Sequence, residues 1–169
     1  MTRLVLSGLA LGCLALPALA QSTGVPPTAV ACGTSAGEFH VRTERGANPA
    51  QVEPGKALVY FIEKDEGTYL PPATRVGLDG AWIGGTKGDS YFSFSVEPGV
   101  HHLCAATDWE TDLAHFTAKV GEVYYFEVKN IAMTRGSGMN WNDITFGAVD
   151  SDEGQMLVES DELATTRAH

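Results

Sequence analysis

The chain has 169 residues, with 11 Lys and Arg against 21 Asp and Glu and 44% hydrophobic residues. That composition suits one globular domain rather than a disordered or fibrous chain. A formal charge of −10 speaks against a surface that neutralises nucleic-acid phosphates or docks on anionic lipid.

Residues 1–20 begin with the basic Arg3, continue through an apolar stretch and end in Ala18-Leu19-Ala20. This is the pattern of a secretory signal peptide, with cleavage expected between Ala20 and Gln21. As a membrane anchor the apolar run is at the short limit, and Pro17 and the A-x-A ending fit cleavage better. As a lipoprotein signal it would need Cys13 as the lipidated residue, but Ala10-Leu11-Gly12 before it and Leu14-Ala15-Leu16 after it fit poorly. No later segment is long and apolar enough to span a bilayer, so a periplasmic or secreted protein is expected. Cleavage would leave Cys32 and Cys104, which an exported chain most simply joins as a disulfide; the alternative is a buried Cys104 and a loose thiol at Cys32.

Residues 21–36 are rich in Pro, Gly, Ser and Thr and carry no charge, and they read as an extended lead-in. Phe39 and Val41 alternate with His40 and Arg42 in a short strand. Residues 57–62 (ALVYFI) form an apolar run suited to a central strand covered on both faces. Residues 63–72 read as a polar loop. Asp79-Gly80 between two short β-prone runs signals a tight hairpin, since both central positions need positive φ. Residues 90–96 alternate, with Phe92, Phe94 and Val96 on one face. Pro98-Gly99 makes a turn, and strands are expected at 100–107, 113–120, 123–128 and 144–149, with a loop at 134–143. Asp150 and Glu153 form a capping box for a short helix, weakened by Gly154, and residues 164–169 are expected to fray. The sum is an all-β chain: a single antiparallel β-sandwich of about seven to nine strands with one short C-terminal helix, occupying residues 37–163.

Chemistry is harder to find. His101 and His102 are neighbours on a strand and point to opposite faces, whereas His102 and Cys104 share one. With residue 105 opposite 115, His115 is diagonal to that face at best, so no third metal ligand converges. The acidic run 150–154 fails the calcium-loop template. Gly88-Asp89-Ser90-Tyr91-Phe92 lacks the last glycine of a nucleophile elbow, and nothing singles out a carboxylate pair for hydrolysis. No catalytic residue, cofactor or metal site is assigned. Of the three tryptophans, Trp82 and Trp109 read as caps on the core, and Trp141, with Met139 and Asn140, is the candidate exposed binding surface.

The ordered set Pro54-Gly55-Lys56-Ala57-Leu58-Val59-Tyr60-Phe61, Leu78-Asp79-Gly80 with Ile83-Gly84, Ser90-Tyr91-Phe92, Val96-Glu97-Pro98-Gly99-Val100-His101 and Gly121-Glu122-Val123-Tyr124-Tyr125-Phe126 resembles the bacterial envelope family catalogued as domain of unknown function 2846. The resemblance runs from about residue 53 to the C-terminal helix. It implies a bacterial exported protein with a transthyretin-like or carbohydrate-binding-like sandwich, and it supplies no reaction, ligand or catalytic residue. Many relatives look like lipoproteins, a feature this chain's poor lipobox does not share. The expectation is a non-catalytic, envelope-associated module that binds a protein or glycan partner. The alternatives are a hydrolase with an unrecognised carboxylate pair, or a metal-binding envelope protein.

Overall fold

The structure is a computed structural model that describes residues 26–33, 39–46, 50–68, 72–134 and 140–168. In chain order its elements are α1 (Pro27–Ala31), β1 (Phe39–Glu44), β2 (Ala57–Glu66), β3 (Ala73–Leu78), β4 (Ala81–Lys87), β5 (Ser90–Val96), β6 (Gly99–Ala106), β7 (Thr111–Ala118), β8 (Val123–Thr134), β9 (Asn140–Val149), α2 (Ser151–Ser160) and β10 (Glu162–Ala168). Two sheets stack as a sandwich. One has six strands in the order β1-β10-β5-β2-β8-β9, and the other has four in the order β4-β3-β6-β7. The all-β sandwich is as expected, but β2–β8 and β5–β10 pair in parallel, so the larger sheet is mixed. No helix among the described residues is long and apolar enough to cross a membrane.

The run 57–62 explains the position of β2. Ala57, Val59 and Phe61 point between the sheets with Phe92, Leu103, Phe126 and Val128. Leu58, Tyr60 and Ile62 point the other way, onto Tyr91, Tyr125 and Val158 of α2. A strand buried on both faces has no polar alternation to display, and this one lies between β5 and β8.

The capping box is present: the Glu153 N–H donates to Asp150 Oδ1 at 2.9 Å. Gly154 is a packing requirement. A Cβ there would lie 2.2 Å from Tyr125 Cγ, because α2 crosses directly over that ring. Gly154→Ala is therefore expected to destabilise the fold by about 1–3 kcal/mol despite alanine's better helix propensity. A urea melt checks this; an unchanged or higher midpoint would show that the helix can lift off the sheet at no cost.

Several expectations are corrected. Residues 164–168 do not fray, since β10 pairs with β1 over six residues and with β5 over two, and Ala164 is in the core. The lead-in contains α1, which Pro27 starts at a position where its missing N–H is no loss. Strand β2 continues through 63–66, which read as loop, and β9 starts at Asn140, inside the expected 134–143 loop. Val120 lies beyond β7 and is exposed.

Candidate functional site

The strand registers gather one set of loops at one end of the sandwich. Glu63 of β2 faces Ser90 of β5, Ala73 of β3 faces Lys87 of β4, and Ala106 of β6 faces Thr111 of β7. The end of β8, the start of β9 and the start of β10 share this end, because β8 runs parallel to β2 and Glu162 pairs with Ser90. Asp79-Gly80, Pro98-Gly99 and the N-terminus of α2 occupy the opposite end.

Trp109 stands on this rim and is 79% exposed, so it does not cap the core as the sequence suggested. Its turn is held firmly. Buried Thr107 accepts through Oγ1 from the N–H groups of Trp109 (3.3 Å) and Glu110 (3.1 Å), and its own N–H donates to Glu110 O at 2.9 Å. Arg75 Nη2 donates to Thr107 O at 2.8 Å from below and lies 3.9 Å from Asp108 Oδ1. The same guanidinium sits 5.4 Å over the ring of Trp82, which packs against the Cys32–Cys104 cluster on the outer face of the four-stranded sheet rather than over an end of the core. The result is an exposed aromatic ring carried on a firmly held turn and flanked by the exposed carboxylates of Asp108 and Glu110.

The same end also carries a polar cleft of about 730 Å³, apart from the Trp109 turn and lined by Arg45, Lys64, Lys87, Asp89, Asp161 and Glu162 among others. Lys64 Nζ bridges Asp161 (2.8 Å) and Asp89 (3.2 Å). Burial pulls the Lys64 ammonium down, but these two carboxylates outweigh it and hold it above its ordinary value. Glu162 is held below the usual carboxylate range by the Thr43 hydroxyl and Arg45.

Beneath the rim lies a buried polar cluster. Glu63 is fully buried, and its Oε1 accepts from Asn130 Nδ2 (2.6 Å) and from the Gly88 N–H (3.2 Å). Thr86 and Thr74 stand beside the carboxyl and favour its charged form, but burial dominates and pushes it up to about 7. Among the described residues Glu63 Oε2, Thr86 Oγ1 and Asn130 Oδ1 have no aligned hydrogen-bond partner. Glu63 is not legible as a site residue from local sequence, because residues 63–72 read as a polar loop. The period of two along β2, with residues 57, 59, 61 and 63 on one face, was the available signal.

At the opposite end, His101 lies between Asp79 Oδ2 (2.6 Å from Nδ1) and Glu97 O (2.7 Å from Nε2). Both neighbours are acceptors, so the two contacts are satisfied together only when both ring nitrogens carry a proton. Burial opposes that charge, but Asp79 and Glu97 O together raise the His101 pKa.

Cys32 and Cys104 are joined, with S–S 1.98 Å and Cα–Cα 5.2 Å. The disulfide ties α1 to the outer face of the four-stranded sheet, where Gly77 has no room for a side chain: a Cβ would lie 2.7 Å from Cys32 Cα. Cys104 is thereby withdrawn from any metal role. The register of β6 and β7 is also three residues away from the expected one: Ala105 faces Asp112, and His102 faces His115 directly. Thr107 causes this by closing a four-residue loop over 107–110. The binding surface expected at Met139, Asn140 and Trp141 falls partly outside the described residues. Met139 lies outside the described residues, and Asn140 and Trp141 are placed by their backbone at the start of β9. The cleavage pair Ala20 and Gln21 and residue Cys13 also lie outside the described residues.

No family model, curated protein or solved structure matches the chain.

Proposed function

We propose that this chain is an exported, non-catalytic, envelope-associated β-sandwich module whose loop rim binds a partner, with a glycan the leading ligand and a protein the second. The observation that carries the reading is Trp109, an exposed indole on a turn fixed by Thr107 and Arg75. A flat apolar face flanked by two carboxylates suits the C–H face and hydroxyl rim of a neutral sugar. The net charge of −10 favours neutral or basic partners over phosphorylated ones.

The hydrolase alternative has weaker support. Asp89 and Asp161 are tied up in ion pairs with the Lys64 ammonium, and the Thr43 hydroxyl and Arg45 favour the charged form of Glu162, which suits it poorly to donate a proton. Glu63 has the pKa of a general acid but no exposed surface through which to use it. Export accords with the disulfide, with the leader pattern of residues 1–20 and with the ordered motifs resembling the envelope family. Periplasmic or secreted placement, and membership of that family, belong to the same proposal.

The test is an array of neutral and charged envelope oligosaccharides probed with the secreted protein and with Trp109→Ala. Binding to neutral glycans that falls by about tenfold or more in the variant supports the reading, since losing a stacked aromatic face costs of the order of 1–3 kcal/mol. Equal binding by both proteins, or cleavage of the arrayed sugar, would overturn it.

A further inference from the structure

Strands β6 and β7 turn alternate side chains outward. On that outer face His102 and His115 are direct cross-strand partners, the arrangement in which Cβ atoms come within about 4.5–5.5 Å. Both line one open groove of about 350 Å³, together with Leu113, Ala114 and the α1 residues Val30 and Ala31. His115 is exposed, and the His102 side chain is 45% exposed.

A second observation concerns how His102 is oriented. Asp79 Oδ1 accepts the His102 backbone N–H at 2.8 Å and lies 3.7 Å from His102 Nδ1. The carboxylate therefore faces one ring nitrogen and leaves Nε2 on the far side of the ring. Metal-bound histidines typically donate their other ring N–H to a carboxylate, which fixes the tautomer and raises the basicity of the ligating nitrogen; Asp79 Oδ1 stands on that side of the His102 ring, at 3.7 Å outside hydrogen-bond distance, and would close on Nδ1 when the metal binds. Asp79 is itself fixed, by its left-handed φ of 49° in the Asp79-Gly80 turn and by the His101 ring on its other oxygen.

We propose that His102 and His115 form a two-histidine site for a divalent transition-metal ion of the imidazole-preferring class, with Asp79 as the positioning residue. Among the described residues no group of three or more His, Cys, Asp or Glu side chains converges, so water fills the remaining coordination positions and the site is open rather than structural. The apolar wall supplied by α1 and Leu113 screens one side of the ion from bulk solvent. The site is independent of the loop rim, at which neither histidine lies.

Zn²⁺ titrated into the full secreted protein at pH 7.5, followed by calorimetry and by ¹⁵N imidazole NMR, tests the site. One equivalent is expected to bind, with the Nε2 resonance of His102 shifting and its Nδ1 remaining protonated. His102→Ala and His115→Ala should each weaken binding by tenfold or more, and His40→Ala should leave it unchanged. Asp79→Asn should weaken it about 10–100-fold and remove the single-tautomer signature. His115 is exposed, so its variant is expected to melt like the parent in the absence of metal. Absence of binding, or binding that survives in both the His102→Ala and His115→Ala variants, would overturn the proposal.

Discussion

Replacing Glu63 by Gln is expected to stabilise the protein by about 3 kcal/mol at pH 8 and to change little at pH 4. The sign follows from proton binding. The Glu63 carboxyl titrates near 4.5 in the unfolded chain and at about 7 when folded. Between those values the folded state holds a proton that the unfolded state has released, so stability falls as pH rises through this window and stays reduced above it. Gln cannot ionise. Its amide oxygen takes the place of Oε1 as acceptor for Asn130 and Gly88, and its NH₂ offers a donor to Thr86 Oγ1, which has no aligned partner. In a domain of this size the gain corresponds to a melting-point rise of roughly 6–12 °C. Urea melts at pH 4 and pH 8 provide the check, and parallel descents for wild type and variant would contradict the assignment of Glu63 as the buried acid. The variant should keep one shallower descent. The charged contact of His101 is complete below the unfolded histidine value of 6.5 and is lost as pH rises through a folded value above it.

The second large effect belongs to the disulfide. Cys32 and Cys104 are 72 residues apart in sequence, and opening a loop of that length costs up to about 4 kcal/mol in the chain-entropy picture. The double variant Cys32→Ala, Cys104→Ala is expected to approach that loss. It releases α1 from Ala106, Trp82 and Leu113, which pack around the sulfurs. Calorimetry of the variant beside the oxidised parent measures the effect. A melting point within a degree or two of the parent would mean that α1 holds its place by packing alone.

The parts of this fold legible in sequence were those where one local rule acts unopposed. The apolar run 57–62 demanded cover on both faces and has it. Asp79-Gly80 demanded positive φ at both positions, and the two residues adopt 49° and 84°. The capping box formed because Asp150 and Glu153 need only each other. Where tertiary partners decide, local rules failed. Glu63 reads as the start of a loop until Asn130, Thr74 and Thr86 are brought around it from three other strands. Residues 164–168 carry too few apolar side chains to announce a strand, and they become one because β1 pairs with them, while β5 anchors the start of β10 at Glu162 and Leu163. Trp109 reads as a core residue by type, yet a four-residue turn held by Thr107 lifts it into solvent. That same turn sets the register that places His115 opposite His102.

We propose that the rim carrying Trp109, rather than the opposite end or a buried acid, meets the ligand. This is tested most directly by mapping amide shift changes in a two-dimensional NMR titration of the secreted protein with a neutral envelope oligosaccharide. Changes centred on residues 107–111, with Arg75 and the indole of Trp109 moving together and the sugar intact at the end, are the expected result. Changes centred on Asp79, Gly80, Glu97 and His101, or conversion of the sugar during the titration, would contradict it.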